Sequence, residues 1–422
     1  MTAPRSTRPV IHLDDLRAPV LTDLQRGAIA YARTREVSFD RVTLLDAARA
    51  RVRLDDFGDD DFLGRLGAMT GAVEADAGLN ELGRMIVHDR FVRLLAQRLL
   101  LTDLLGRHPE ILEIELEPPI VVIGLPRSGT THLVNLIATD TRLRSLPFWE
   151  SCEPIPAPGD GPGRDGVDPR YQRCGRAYDA QMAMVPHVRA MHHQHPQAIE
   201  EEIELEDLDF ASYTLEWHAR VPGWRDHYLA LDQRPHYAYL RRVLQALTWF
   251  RGPHRWVLKS PQHLEQIGPL VDTFPDATFA VTHRDPVAVV QSAVTMLAYG
   301  DRVRRSAIEP EALAAYWVDR VERLLRACAR DRDLLPPARS VDVLFGDFMA
   351  DELGTVGAIY DRAGLELTDR ARRELEAFTA ANPRGKYGQV VYDLRGDFGL
   401  ESDAVRERFA FYFERFGVVA ER

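Results

Sequence analysis

Apolar positions in the first 117 residues recur at helical spacing, most clearly across Glu81–Leu105 (ELGRMIVHDRFVRLLAQRLLLTDLL), and predict a mostly helical segment. The texture changes at Pro118-Pro119. Ile120-Val121-Val122-Ile123 is an unbroken β-branched run of the kind that forms a strand buried on both faces. An apolar helix over His132–Ala138 follows it. Strand-then-helix order returns in Trp256–Leu258 before a helix near Leu264–Phe274, and in Thr278–Thr282 before a helix near Val287–Leu297. It returns once more in Val341–Phe345 before a helix near Phe348–Ala363. Strands alternating with helices predict a central parallel sheet covered on both faces, a three-layer α/β/α fold. Residues 151–175 are rich in Pro, Gly and Asp and predict a long loop, while 176–250 read as helical in places. The expected organisation is a helical N-terminal extension over 1–117 and an α/β domain over 118–422, with 151–250 inserted at the carboxyl end of the sheet. Insertions there commonly build the substrate side of a site.

Composition narrows the class. Among 422 residues, 45% are hydrophobic and 28% charged, which is a folded rather than a disordered balance. A net charge of −11 argues against a general nucleic-acid or anionic-membrane binder, while leaving room for a local basic pocket. No apolar run reaches transmembrane length, and MTAPRSTRPV has no signal-peptide core. The three cysteines (Cys152, Cys174, Cys328) lack metal-ligand spacing, so the expectation is a reducing, cytoplasmic setting without a disulfide framework. Of 53 basic residues only Lys259 and Lys386 are lysines. A chain that otherwise uses arginine directs attention to the two places where it keeps an ammonium, because the two cations are not equivalent.

Gly124-x4-Gly129-Thr130-Thr131 has the spacing of a P-loop, between an apolar strand and an apolar helix. Such a loop and the helix N-terminus offer main-chain donors to an anion. Thr130 stands where nucleoside triphosphate enzymes carry lysine, a substitution that fits a transferred group less charged than a phosphoryl group. Arg127, Ser128, Thr130 and Thr131 supply further donors. In Thr282-His283-Arg284-Asp285-Pro286 a strand ends at Arg284, with Asp285 as helix cap and Pro286 at the first helical position. Ser292, about two helical turns on, is placed to share a phosphate with Arg284. Asn382-Pro383-Arg384-Gly385-Lys386-Tyr387-Gly388 reads as a third anion-binding loop or as an ordinary surface turn. Both lysines fall within these and the Leu258-Lys259-Ser260-Pro261 segment.

Together these segments resemble the sulfotransferases that use 3′-phosphoadenosine 5′-phosphosulfate (PAPS), in the bacterial branch related to tyrosylprotein and heparan sulfotransferases. The resemblance rests on GLPRSGTTHL, WVLKSPQHL, THRDP with Ser292, and NPRGKYG, with the terminal Phe398-Gly399-Leu400 and the aromatic helix after Ser402 also fitting, and spans residues 118–417. It implies that Arg127, Ser128, Gly129, Thr130 and Thr131 bind the 5′-phosphosulfate, that Arg284 and Ser292 bind the 3′-phosphate, and that Arg384, Gly385 and Lys386 close over the nucleotide. It also implies that Lys259 assists the leaving group, with no metal required.

In-line attack of an acceptor hydroxyl or amine needs a base. The resemblance implies two candidates, of which Glu150, about twenty residues after the loop and beside Phe148 and Trp149, is the expected one. His263 is the other candidate, displaced from the position that Pro261 occupies, and the carboxylates Glu200, Glu201 and Glu202 stand in reserve. With His192, His193 and His195 those glutamates carry metal-ligand types without metal-site spacing, and are expected to line or support an acceptor cleft. The stripe Val405, Phe409, Tyr412, Phe413, Phe416 reads as core. The aromatic insertion (Trp217, Trp224, Tyr228, Tyr237, Trp249) is compatible with a small-molecule, glycan or lipid acceptor, and equally with core. The rival readings are a phosphotransferase using ATP and Mg²⁺, a non-catalytic nucleotide-binding protein and, from the histidine cluster, a metal-dependent hydrolase.

Overall fold

The computed structural model of the protein describes residues 9–161, 166–383 and 385–421. Five strands form one parallel sheet: β1 (Ile120–Gly124), β2 (Leu143–Ser145), β3 (Arg255–Ser260), β4 (Thr278–His283) and β5 (Ser340–Leu344), in the order β2-β3-β1-β4-β5. β1 is central, with Val122 opposite Lys259 of β3 and Gly124 opposite Thr282 of β4. The chain leaves β1 to one side and returns to the other, so the carboxyl ends of β1, β3 and β4 open onto a shared crevice, the place where such sheets bind ligands.

Alternation along β1 divides the core. Ile120 and Val122 face one layer with Leu133, Val134, Ile137, Ile359 and Leu375, from the helices Thr130–Ile137, Glu352–Ala363 and Asp369–Ala381. Val121 and Ile123 face the other, with Val290 and Leu324 from the helices Pro286–Arg304 and Pro310–Asp331. That second core continues into the N-terminal helix Glu81–Arg107 and the buried Tyr213, Trp224 and Tyr237 of the insertion. Of the insertion's aromatics, Trp224, Tyr228 and Tyr237 are therefore core, whereas Trp249 is exposed. Buried ion clusters fasten the layers. Asp209 receives Arg65, Arg98 and His236 at 2.8, 2.8 and 2.6 Å, and Arg320 links Glu216 and Glu265 at 3.0 and 2.6 Å.

Several elements depart from the sequence expectation, each for a local reason. β2 was not expected, because Leu-Arg-Ser is too short to show a period. The expected loop over 151–175 ends early, since Asp168 caps and Pro169 opens a helix through Met184. The helix expected near Leu264–Phe274 is a 3₁₀ turn, Pro261–Glu265, followed by Ile267–Thr273. Asp351 caps a fresh helix at Glu352, which divides the segment expected to run from Phe348 to Ala363. β4 ends at His283, one residue before Arg284. The N-terminal segment also supplies a strand: Val10–Ile11 pairs in parallel with Gln389–Val390, directly after the Asn382–Gly388 loop. The aromatic stripe is core as expected, with Val405, Phe409 and Tyr412 buried, although the helix breaks at Phe409.

Candidate active site

The loop after β1 turns through two left-handed residues, Arg127 at φ +70° and Gly129 at φ +89°. Glycine takes that conformation freely, and a Cβ at Gly129 would sit 3.0 Å from the Phe345 ring. For arginine the same backbone region costs on the order of 1 kcal/mol, strain of the kind that gathers at functional sites. Ser128 Oγ donates to the Leu125 carbonyl at 2.6 Å and shares a 2.8 Å hydrogen bond with Thr282 Oγ1, which pins the loop to β4. Gly124 is the close approach this needs, because a Cβ there would lie 1.9 Å from Thr282 Oγ1. The buried Thr130 then opens the helix through Ile137, whose first turn presents unpaired main-chain donors.

A pair of guanidinium groups lies beside the loop. Arg127 Nε donates to Ser292 Oγ at 3.0 Å, and Ser292 donates to Tyr392 Oη at 3.1 Å. Arg284 Nη1 donates to the Arg127 carbonyl at 2.6 Å, while its guanidinium lies 4.1 Å from the Phe345 ring centroid. Burial pushes the Arg127 pKa down from its ordinary value. Tyr392 opposes the shift and Arg284 adds to it. Among the described residues no carboxylate lies within ion-pair distance of Arg127. The partner of Arg284 is Glu421, whose main-chain N–H donates to the cap residue Asp285 at 2.8 Å. Tyr392 and Glu421 carry no motif of their own and were missed in the sequence, and Thr282, though inside THRDP, gave no sign of its bond to Ser128. They reach the site through tertiary folding.

Lys386 is exposed, its Nζ 3.2 Å from Asn382 Oδ1, and Gly385 adopts φ +73°. Arg384 lies outside the described residues. The neighbouring Tyr387 stacks on His193 with centroids 3.9 Å apart, and Arg189 covers the same ring at 4.6 Å. This ties the late loop to the insertion. Burial, with the neighbouring His195, Arg189, Lys386 and His192, lowers the His193 pKa to about 4.

Lys259, at the carboxyl end of β3, is buried, with its ammonium between two segments. Nζ donates to Thr131 Oγ1 at 3.4 Å and to Glu201 Oε1 at 2.6 Å. Its main-chain N–H donates to Glu202 Oε2 at 2.6 Å. The other Glu202 oxygen lies 2.6 Å from His263 Nε2, and His263 Nδ1 lies 2.7 Å from Tyr237 Oη. Both ring nitrogens of the buried His263 are thus engaged, and the histidine positions Glu202 rather than facing solvent. Burial opposes ionisation of Glu200, but His192, Lys259 and Gln194 outweigh it and hold its pKa at about 2. Burial raises the Glu201 pKa from its ordinary value against the pull of Lys259, and the Glu200 charge adds to the rise.

Glu150 is not brought to this place. Its oxygens meet Arg144 Nη2 at 2.8 Å and Arg251 Nε at 3.1 Å, and those guanidinium groups stack on Trp256 and Trp149. Arg144 pairs in register with Trp256, three residues before Lys259 on β3 and about 10 Å back along the strand. The spacing from the loop led to Glu150, whereas the short helix Phe148–Cys152 that follows β2 holds its carboxylate against the arginines. Among the described residues no group of three or more His, Cys, Asp or Glu side chains is placed to hold a metal ion.

The crevice therefore joins a loop with two left-handed turns, two guanidinium groups, a buried ammonium and a carboxylate beside it. The sequence model of the sulfotransferase family matches residues 118–369. Relatives include the omega-hydroxy-beta-dihydromenaquinone-9 sulfotransferases of Mycobacterium bovis and Mycobacterium tuberculosis, each 26% identical over 263 residues, or 59% of this chain and 63% of theirs. The chain thus matches less than two thirds of the length of those relatives. A crystallised sulfotransferase of Mycobacterium tuberculosis has a TM-score of 0.77 at 30% identity, covering 88% of this chain and 98% of that one. A second, from Mycobacterium avium, shares the fold with a TM-score of 0.78 at 23% identity, covering 90% and 97%. With well over half its length inside the family's pattern, the chain belongs to the sulfotransferase family.

Proposed function

We propose that the protein transfers a sulfuryl group from PAPS to the hydroxyl, or amine, of an acceptor, without a metal ion. The observation that carries this is the pairing of two guanidinium groups, Arg127 and Arg284, beside a P-loop whose lysine position is Thr130, with Lys259 delivered instead from the next strand. The residues fit the donor. Arg127 is a partly buried cation without a carboxylate partner among the described residues, and left-handed turns at Arg127 and Gly129 are the backbone from which anion nests are built.

In this reading Arg127, Gly129, Thr130 and Thr131 hold the 5′-phosphosulfate, with Ser128 fixing the loop. Arg284 and Ser292, joined by Tyr392, hold the 3′-phosphate, and Gly385 and Lys386, with Arg384, close over the nucleotide. Bound there, PAPS supplies an activated sulfuryl group and a phosphate leaving group. Lys259 faces the oxygen on which charge develops, and Thr131 orients that ammonium. Arg284 follows β4 where many triphosphate hydrolases place a carboxylate for Mg²⁺, which favours this reading over an ATP-dependent phosphotransferase. Among the described residues no helix is long and apolar enough to cross a membrane. A hydroxylated lipophilic molecule is the acceptor class proposed first, by analogy with the omega-hydroxy-beta-dihydromenaquinone-9 that the relatives are named for.

Calorimetric titration with adenosine 3′,5′-bisphosphate tests the donor assignment. Binding should be tight with or without magnesium and weak for 5′-AMP. Preference for Mg²⁺-ATP over the bisphosphate would reverse it.

A further inference from the structure

The donor reading leaves the acceptor proton without a destination, and the inference drawn here rests on that reading. Four carboxylates come into question. Glu150 keeps 2% of its side-chain exposure and is held by two arginines. Glu202 keeps 1%, with one oxygen on the Lys259 main chain and the other on His263. Glu200 keeps 9%, hydrogen-bonded by Gln194 at 2.6 Å and 3.7 Å from His192. Glu201 keeps 20% and touches the Lys259 ammonium, which also reaches Thr131 of the P-loop. It alone of the four combines contact with the reacting end of the site and access for an acceptor.

We propose that Glu201 is the general base, and that its ion pair with Lys259 holds the ammonium in place until the donor arrives. Glu201 takes the proton as the acceptor O–H bond breaks. The acceptor oxygen bonds to sulfur while the bond from sulfur to the nucleotide phosphate oxygen breaks, and Lys259 meets the charge left on that oxygen. Atoms and charge balance without a further reactant. The neighbours suit a base. Glu200 stays ionised, and burial and the Glu200 charge both favour the protonated form of Glu201, which makes it a stronger base than a solvated carboxylate. The titratable and charged groups facing Glu201 are Lys259, Glu200, His192, Tyr213 and Glu206.

The experiment uses the full chain with Glu201→Gln, Glu201→Asp and Glu150→Gln. Turnover is followed as bisphosphate release from radiolabelled PAPS, with dodecanol as acceptor and with water alone. Glu201→Gln should lower kcat by on the order of 10²–10⁴-fold, with bisphosphate affinity within a few-fold of wild type. Glu201→Asp should recover part of the rate, and Glu150→Gln should stay within about tenfold, the change expected for a group away from the chemistry. A second readout does not need turnover. Calorimetry of bisphosphate binding in buffers of different ionisation enthalpy should show proton uptake in wild type, because an anion near Lys259 loosens the pair and raises the Glu201 pKa. That uptake should shrink in Glu201→Gln. Near-wild-type turnover in Glu201→Gln, a greater loss in Glu150→Gln, or unchanged proton uptake would overturn the assignment. Folded Glu201→Gln that no longer binds bisphosphate would also overturn it, leaving Glu201 a structural counter-ion. Wild-type protein that fails to bind bisphosphate would instead defeat the donor reading, and the base with it.

Discussion

Glu421 grips Arg284 side-on, with Oε1 2.6 Å from Nε and Oε2 2.8 Å from Nη2. A carboxylate thus occupies the fork proposed for the 3′-phosphate, and Arg406 steadies it by donating to the Glu421 carbonyl at 2.9 Å. Ligand binding must displace this internal anion, and the work of displacement lowers apparent affinity. Glu421→Gln should therefore tighten adenosine 3′,5′-bisphosphate binding by about three- to tenfold in calorimetry, whereas Arg284→Ala should weaken it. Equal affinities for wild type and Glu421→Gln would show that the two anions do not compete.

Lys259→Arg keeps the charge and changes its shape. The space between Thr131 and Glu201 is matched to a compact ammonium, and a planar fork cannot reproduce both contacts. Turnover should fall on the order of tenfold or more, with bisphosphate affinity changed less. Steady-state kinetics beside calorimetry separates the two, and an undiminished kcat would remove the special role of this lysine.

His263 tests stability rather than chemistry. Replacing it with alanine leaves a Glu202 oxygen and the Tyr237 hydroxyl without their 2.6 and 2.7 Å partners in a buried place. The expected loss is about 2–4 kcal/mol in urea denaturation. A loss below about 1 kcal/mol would mean that water enters and satisfies both groups.

Acid should expose the contribution of Glu200. Its folded pKa of about 2 lies below the ordinary value of a glutamate, so its stabilisation is complete above that ordinary value and is lost as pH falls toward 2. Wild type should melt above Glu200→Gln near neutral pH, and the gap should close between about pH 5 and pH 2. A gap that stays constant with pH would assign the effect to packing.

What could be read in the sequence is what lies contiguously along it. The P-loop, the Arg284–Ser292 spacing and the segment around Lys259 each announce themselves within ten residues, because strand, turn and helix signals are local. The sheet could be read from its β-branched runs, except for β2, whose three residues carry no period. Partners that arrive through folding could not be read. Tyr392 reaches Ser292 across the chain, Thr282 comes from the neighbouring strand, and Glu421 comes from far beyond its arginine. Glu150 shows the converse, since a family-like distance from the loop says nothing about which way the short helix Phe148–Cys152 points the side chain. Both lysines were visible by count, but only folding sets Lys259 against Glu201 and leaves Lys386 at the surface.

The pairing of Val10–Ile11 with Gln389–Val390 has a kinetic consequence. Gln389 N donates to the Pro9 carbonyl and Val391 N to the Ile11 carbonyl, at 2.9 and 3.0 Å, joining segments far apart in the sequence. Contacts of such long sequence separation form late, since the intervening chain must first be ordered. On the ribosome the early strand waits for its mate until Gln389 and Val390 have been made. The P-loop, built from neighbours in sequence, can be in place long before the turn bearing Lys386 is latched down.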